Sequence, residues 1–178
     1  MGIEIERKWM VRGWPHDYMP LLKEEVMRQG YVSVTPTVRI REEKCLYLSG
    51  TSVKDGSDCV SDDFILCFKS KGGLSRKEIE FPIEKKYFDE ISELIGLPLI
   101  AKTRRTYLVS NGSHLEVNHV DQGLPGEFWY AEIEFESEEE ANGFDPKEYG
   151  LGDYLVDDVT GQKGSSMGEY WLETRVKR

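Results

Sequence analysis

Residues 2–11 read GIEIERKWMV. In an extended chain, side chains two positions apart share a face. Glu4, Glu6 and Lys8 therefore point one way, and Ile3, Ile5, Trp9 and Val11 the other. A wet outer face of a sheet usually mixes hydroxyls, amides and single charges. A face made only of acids and a base poses a different question: what does it look at?

The same parity recurs along the chain. Period-two alternation marks strands at 3–11, 37–42, 64–69, 76–83, 103–109, 114–118 and 129–136. It aligns Arg39 with Arg41, and Arg76 with Glu78 and Glu80. It also aligns Lys102 with Arg104, Glu116 with Asn118, and Glu132 with Glu134 and Glu136, while Lys69 closes the strand FILCFK. One such strand is a solvated face. Six of them leave few apolar positions to fill a barrel, so the pattern implies an inverted barrel with charges lining the lumen and apolar faces turned outward under helices. Seven acids (Glu4, Glu6, Glu78, Glu80, Glu116, Glu132, Glu134) balance seven bases (Lys8, Arg39, Arg41, Lys69, Arg76, Lys102, Arg104). The whole formal charge of −10 thus lies outside the lumen. Segregated into an acidic and a basic cluster, these groups suit a polyphosphate with a divalent cation. Carboxylate oxygens hold the hard cation, and Arg and Lys hold phosphate oxygens.

Helical spacing is rarer. Residues 84–95 put Tyr87, Phe88, Ile91, Leu94 and Ile95 on one side, with Gly96 as a stop, and this face is expected to cover the Ile79/Phe81/Ile83 row. Residues 17–29 read as a weaker amphipathic helix around Leu21, Leu22, Val26 and Met27, and Ser137 with Glu140 forms a capping box. Residues 49–63, rich in Ser, Asp and Gly, read as a long hairpin tip.

At 178 residues one domain spanning 1–178 is expected, mainly β with an eight-stranded antiparallel closed barrel and a few helices outside. No window is apolar enough for a membrane span, and no secretory signal is visible. Cys45, Cys59 and Cys67 match no metal-ligand spacing, which favours a reduced, cytoplasmic setting. The acidic balance argues against nucleic-acid or anionic-membrane partners. His16, His114 and His119 have no evident role, and His119 reads as a solvated turn residue.

The motifs EIERK (4–8), QGY (29–31), VRIR (38–41), FKSKGGLSRKEIE (68–80), KTRRTY (102–107), LEVN (115–118), AEIEFESEEEA (131–141) and DVTGQK (158–163) occur in that order. Together they resemble the CYTH superfamily of triphosphate tunnel metalloenzymes, and look most like its bacterial inorganic triphosphatase branch. The resemblance implies hydrolysis of a small-molecule triphosphate, foremost inorganic tripolyphosphate, with Mg²⁺ or Mn²⁺ in a charged tunnel. It implies Glu4, Glu6, Glu132 and Glu134 as metal carboxylates with Glu116 close by. It implies Lys8, Arg39, Arg41, Lys69, Arg76, Lys102, Arg104 and a closing Lys163 as phosphate ligands. Tyr31 would pair with Lys8 to act on the attacking water. The chain departs from the family at Asn118, where an acid is usual, and in the C-terminal QKGSSMGEYW; Asn118 would coordinate only through its carbonyl oxygen. A class IV-type adenylate cyclase, a thiamine triphosphatase and a polyphosphate-binding module without turnover are the competing readings, and the assembly is expected to be a monomer or homodimer.

Overall fold

The computed structural model describes residues 2–17, 19–49 and 62–177, with the backbone alone for Tyr47. Nine strands and three helices follow in the order β1 (Gly2–Val11), β2 (Leu21–Val34), β3 (Thr37–Leu48), β4 (Asp62–Lys69), β5 (Ser75–Pro82), α1 (Lys85–Ile95), β6 (Ile100–Leu108), β7 (His114–Val120), β8 (Phe128–Glu134), α2 (Glu138–Gly143), β9 (Asp157–Asp158) and α3 (Met167–Trp171). A 3₁₀ turn at Pro146–Tyr149 precedes β9, and a π-helical turn at Leu172–Val176 extends α3.

The strands pair in the order β5-β4-β3-β2-β6-β7-β8-β1, and β1 returns to β5, so eight antiparallel strands close into a barrel. Closure removes the free edges that an open sheet would have to protect. β1 is the seam. One side of it pairs with β8 over Glu6–Val11, and the other pairs first with β5 over Gly2–Ile5 and then with β9 at Trp9 and Met10. The two residues of β9 therefore continue the wall where β5 ends.

The barrel is inverted, as the parity implies. Trp9, Val11, Leu115, Val117, Ala131 and Ile133 point outward and are buried beneath Phe144, Leu151 and Leu155 from the last third of the chain. On the far side Phe88 of α1 packs on Ile40 and Phe64. Trp171 of α3 packs against Tyr31, Ile100, Val120 and Tyr130 near the end of the barrel where β2 finishes.

Four expectations need correction or completion. Residues 21–34 form β2, not a helix: β3 and β6 flank this stretch and satisfy its backbone on both sides, and its period-two row Glu25, Met27, Gln29, Tyr31 faces the lumen. Such tertiary pairing overrides a marginal helical pattern. Helix 84–95 forms as expected and ends at Gly96 (φ 64°), yet it covers β2, β3 and β4. Ile79 and Phe81 on β5 stay 38% and 49% exposed. The Ser137 cap is half of a box: its hydroxyl accepts from Glu140 N–H, while the Glu140 carboxylate accepts from Glu136 N–H at 3.1 Å. For residues 50–61, including Cys59, the hairpin-tip reading lies outside the described residues. Among the described residues no helix is long and apolar enough to cross a membrane.

Candidate active site in the barrel lumen

A cavity of about 1430 Å³ fills the barrel, and its lining reaches from Asn111–His114 and Glu136 at one end to Thr35, Gly72, Gly73 and residues 160–169 at the other. Pairing register puts the inward rows side by side: Glu4 faces Arg76, Glu6 faces Glu134, Lys8 and Glu116 both face Glu132, and Lys69 faces Glu78.

The acids concentrate on β7, β8, β1 and β5. Burial, then the charges of Glu132 and Glu4, push the Glu6 carboxyl up to about 7 against the pull of Arg76. Glu134 is likewise raised, by burial and by Glu4, Glu116 and Glu78. Carboxylates crowded enough to hold each other's protons are the donor set that a hard divalent cation relieves. Three bases reach into this wall. Arg76 bridges Glu4 and Glu6 at 2.5 Å each, Lys69 Nζ lies 2.8 Å from Glu4 and 3.0 Å from Glu78, and Lys8 Nζ lies 3.3 Å from Glu132.

The bases concentrate on β3 and β6. Lys102 is held well below its ordinary value by burial and then by Arg104, Arg41 and Arg39, with Glu132 opposing. Arg41 is lowered by burial and Arg39 in the same way. Glu80 gives this wall a shared counter-charge at 3.3 Å from Arg39 and 3.4 Å from Arg41. Arg39 Nε is buried without a hydrogen-bond partner, whereas Arg41 Nε lies 2.5 Å from Glu43 Oε1. The charges are thus segregated by wall, as the sequence implies, but laced together by ion pairs wherever the walls meet.

Two pairings differ from expectation. Lys8 sits over the ring of Tyr130, 3.8 Å from its centroid. Tyr31 accepts from Gln29 Nε2 at 3.0 Å and is packed on Trp171, and burial pushes its phenol up despite Arg39, Arg76 and Arg41. Its surroundings favour the neutral phenol, so the aromatic partner of Lys8 is Tyr130. Asn118 Oδ1 accepts from Arg104 Nε at 3.2 Å.

Every residue that the resemblance assigns to metal, phosphate or catalysis lines the cavity, and Asn118 lies buried beneath it. Exposed Lys163 lies on a loop fastened to β1, because the Lys8 N–H donates to Thr160 Oγ1 at 3.0 Å and Val159 N–H to the Lys8 carbonyl at 2.9 Å. Inward groups that the sequence reading missed include Tyr130, Cys67, Glu25, Glu43 and Gln29. Parity signals the first two, two residues before Glu132 and Lys69, whereas Glu25 and Gln29 were concealed by the helical reading of 17–29. Cys67, Glu78 and Glu80 bring ligand atoms within 4.8 Å of one another. This group suits a cation less than Glu4, Glu6, Glu132 and Glu134 do. Arg39, Arg41 and Lys69 already surround its carboxylates, and burial pushes the Cys67 thiol up to about 12. His119, far from being a solvated turn residue, is buried, stacked on Trp129 at 3.7 Å and bonded to Glu127 at 2.5 Å outside the lumen.

No family model matches the chain. The inorganic triphosphatase of Nitrosomonas europaea is 30% identical over 155 residues, which cover 87% of this chain and 90% of that protein. A solved structure of the inorganic triphosphatase NE1496 superposes with a TM-score of 0.56 at 22% identity, over 96% of this chain and 95% of that one. The PH1819 protein of Pyrococcus horikoshii superposes with a TM-score of 0.61 at 18% identity, over 96% and 98% of the two chains. Both likenesses are of fold.

Proposed function

The chain belongs to the CYTH superfamily, with the Nitrosomonas inorganic triphosphatase as a relative, and from that premise we propose that it hydrolyses inorganic tripolyphosphate to pyrophosphate and phosphate inside its barrel. One observation carries the reading: a single cavity holds an acid wall in which Glu6 is pushed up to about 7 and a basic wall in which Lys102 is pressed down. Ion pairs between the rows satisfy these charges only in part, and a cation–triphosphate complex supplies the opposite charge to each wall.

Glu4, Glu6, Glu132 and Glu134 are the residues to hold Mg²⁺ or Mn²⁺, with Glu116 beside them. Such an ion, when bound, neutralises phosphate oxygens and lowers the pKa of a bound water. Arg76 and Lys69, now on Glu4, would hold the phosphate chain together with Arg39, Arg41, Lys102 and Arg104, with Lys163 on its loop at the mouth. Lys8, held between Glu132 and Tyr130, donates to the terminal phosphate or to the water attacking it. Tyr31 is assigned to orienting Arg39 rather than to taking a proton. Water attacks the terminal phosphorus in line, the bridging P–O bond breaks, and pyrophosphate leaves with its electron pair. The proton lost by the water passes to phosphate oxygen and solvent. The transition state is loose, so positioning and fixed positive charge do most of the catalysis.

The test is phosphate release from tripolyphosphate, ATP, thiamine triphosphate and pyrophosphate with either ion. Release is expected to be fastest from tripolyphosphate. Cyclic AMP with pyrophosphate as the products of ATP, or tight binding without turnover, overturns the reading.

A further inference from the structure

Asn118 lies on β7 with no exposed surface, opposite Arg104 on β6 and Tyr130 on β8. The guanidinium Nε–H can only donate, so the amide oxygen has to face it. That contact, 3.2 Å long, turns the amide nitrogen away, where it is buried without a partner. An unsatisfied buried donor is a standing cost. A carboxylate of the same shape would avoid it, because it would accept from Arg104 with charge assistance and carry no stranded hydrogens. For the fold alone, Asp is the better residue here.

The difference is charge. Arg104 already has a counter-ion in Glu116, 2.9 Å from its Nη1. A second carboxylate at 118 would cancel the guanidinium and weaken the field that Arg104 adds to Arg41 and Lys102. We propose that Asn118 is a positioning residue that sets the charge selectivity of the lumen: it fixes Arg104 through a neutral acceptor, so the basic wall keeps its charge for the most highly charged linear phosphates. This rests on the triphosphate reading above.

The test pairs Asn118→Asp with Asn118→Ala, measuring thermal midpoint and, at saturating Mg²⁺, the affinity for tripolyphosphate (as KM) and for pyrophosphate (as a competitive inhibitor). Asn118→Asp is expected to raise the midpoint, to weaken tripolyphosphate about tenfold and to weaken pyrophosphate less, because like-charge juxtaposition scales with ligand charge. Asn118→Ala is expected to lower the midpoint and to keep the preference for tripolyphosphate over pyrophosphate. A purely structural role predicts that each variant changes the affinity for both phosphates by the same factor, whatever its midpoint. That result, or undiminished tripolyphosphate binding by Asn118→Asp, overturns the inference. If the wild type binds neither phosphate, the triphosphate reading fails and takes this inference with it; if it binds and Asn118→Asp behaves alike, only the inference fails.

Discussion

Glu6 links the lumen to pH. Its carboxyl ionises at about 7 in the folded protein against an ordinary 4.5, so between these values the folded state holds a proton that the unfolded state has released. Stability from this group is therefore fully present below about pH 4.5 and declines as pH rises through 7. Glu6→Gln is expected to remove that slope and to raise stability above neutrality by on the order of 1–3 kcal/mol, seen as thermal midpoints that converge with wild type in acid and separate in base. Cation binding needs the ionised form, so affinity for Mn²⁺ in wild type should rise with pH over the same window. Glu4→Gln and Arg41→Ala each remove a charge aimed at the ligand, and activity should fall by about 10²-fold or more with folding nearly intact. If both variants unfold while the remaining folded fraction stays active, the inward assignment of these residues is wrong.

Among the elements, α3 and the turn after it close one end of the barrel through a buried latch. Asp121, 1% exposed, accepts from Arg175 at 2.7 Å, from the Tyr170 hydroxyl at 2.6 Å and from Ala101 N–H at 3.2 Å. Removing one partner of a buried ion pair strands the other. Asp121→Ala should thus cost about 3–5 kcal/mol in urea unfolding, and Trp171→Ala a similar amount from the void left against Tyr31 and Tyr130. Neither latch nor plug was legible in the sequence, since QKGSSMGEYW carries no periodicity and its partners lie far off along the chain, on β2, β6, β7 and β8 and at Asp121. The strands were legible wherever two faces differ in chemistry, as in GIEIERKWMV and AEIEFE. β2 was not, because its inward row mixes Glu25, Met27, Gln29 and Tyr31 and its outward row mixes Val26 and Arg28. Within it Gly30 sits under a close approach: a Cβ there would meet the side-chain ends of Leu99 at 2.6 Å and Ile95 at 3.2 Å, which would have to shift.

In the whole molecule, the two walls hold each other's charges across the lumen, so cation and anion should bind as a pair. Either alone must break ion pairs such as Arg76 with Glu4 and leave one member without a partner. Together they exchange one set of pairings for another. Thermal shifts are expected to show a gain with tripolyphosphate and Mn²⁺ together that exceeds the sum of the gains with each alone, by mass action on the folded state. Additive shifts would mean that the walls are independent.

The seam at β1 carries a consequence for synthesis. β1 is synthesised long before its main partner, β8 at residues 128–134, and before β9 at 157–158. At roughly 5–20 residues per second, its ionisable inner row and apolar outer row wait on the order of ten seconds or more with neither neighbour in place. β5 can offer only a short stretch of pairing in the meantime. The strand that contributes two carboxylates and a lysine to the lumen is thus made well before it can be fully enclosed. Chaperone demand and aggregation in the nascent protein should centre on this segment rather than on the helices.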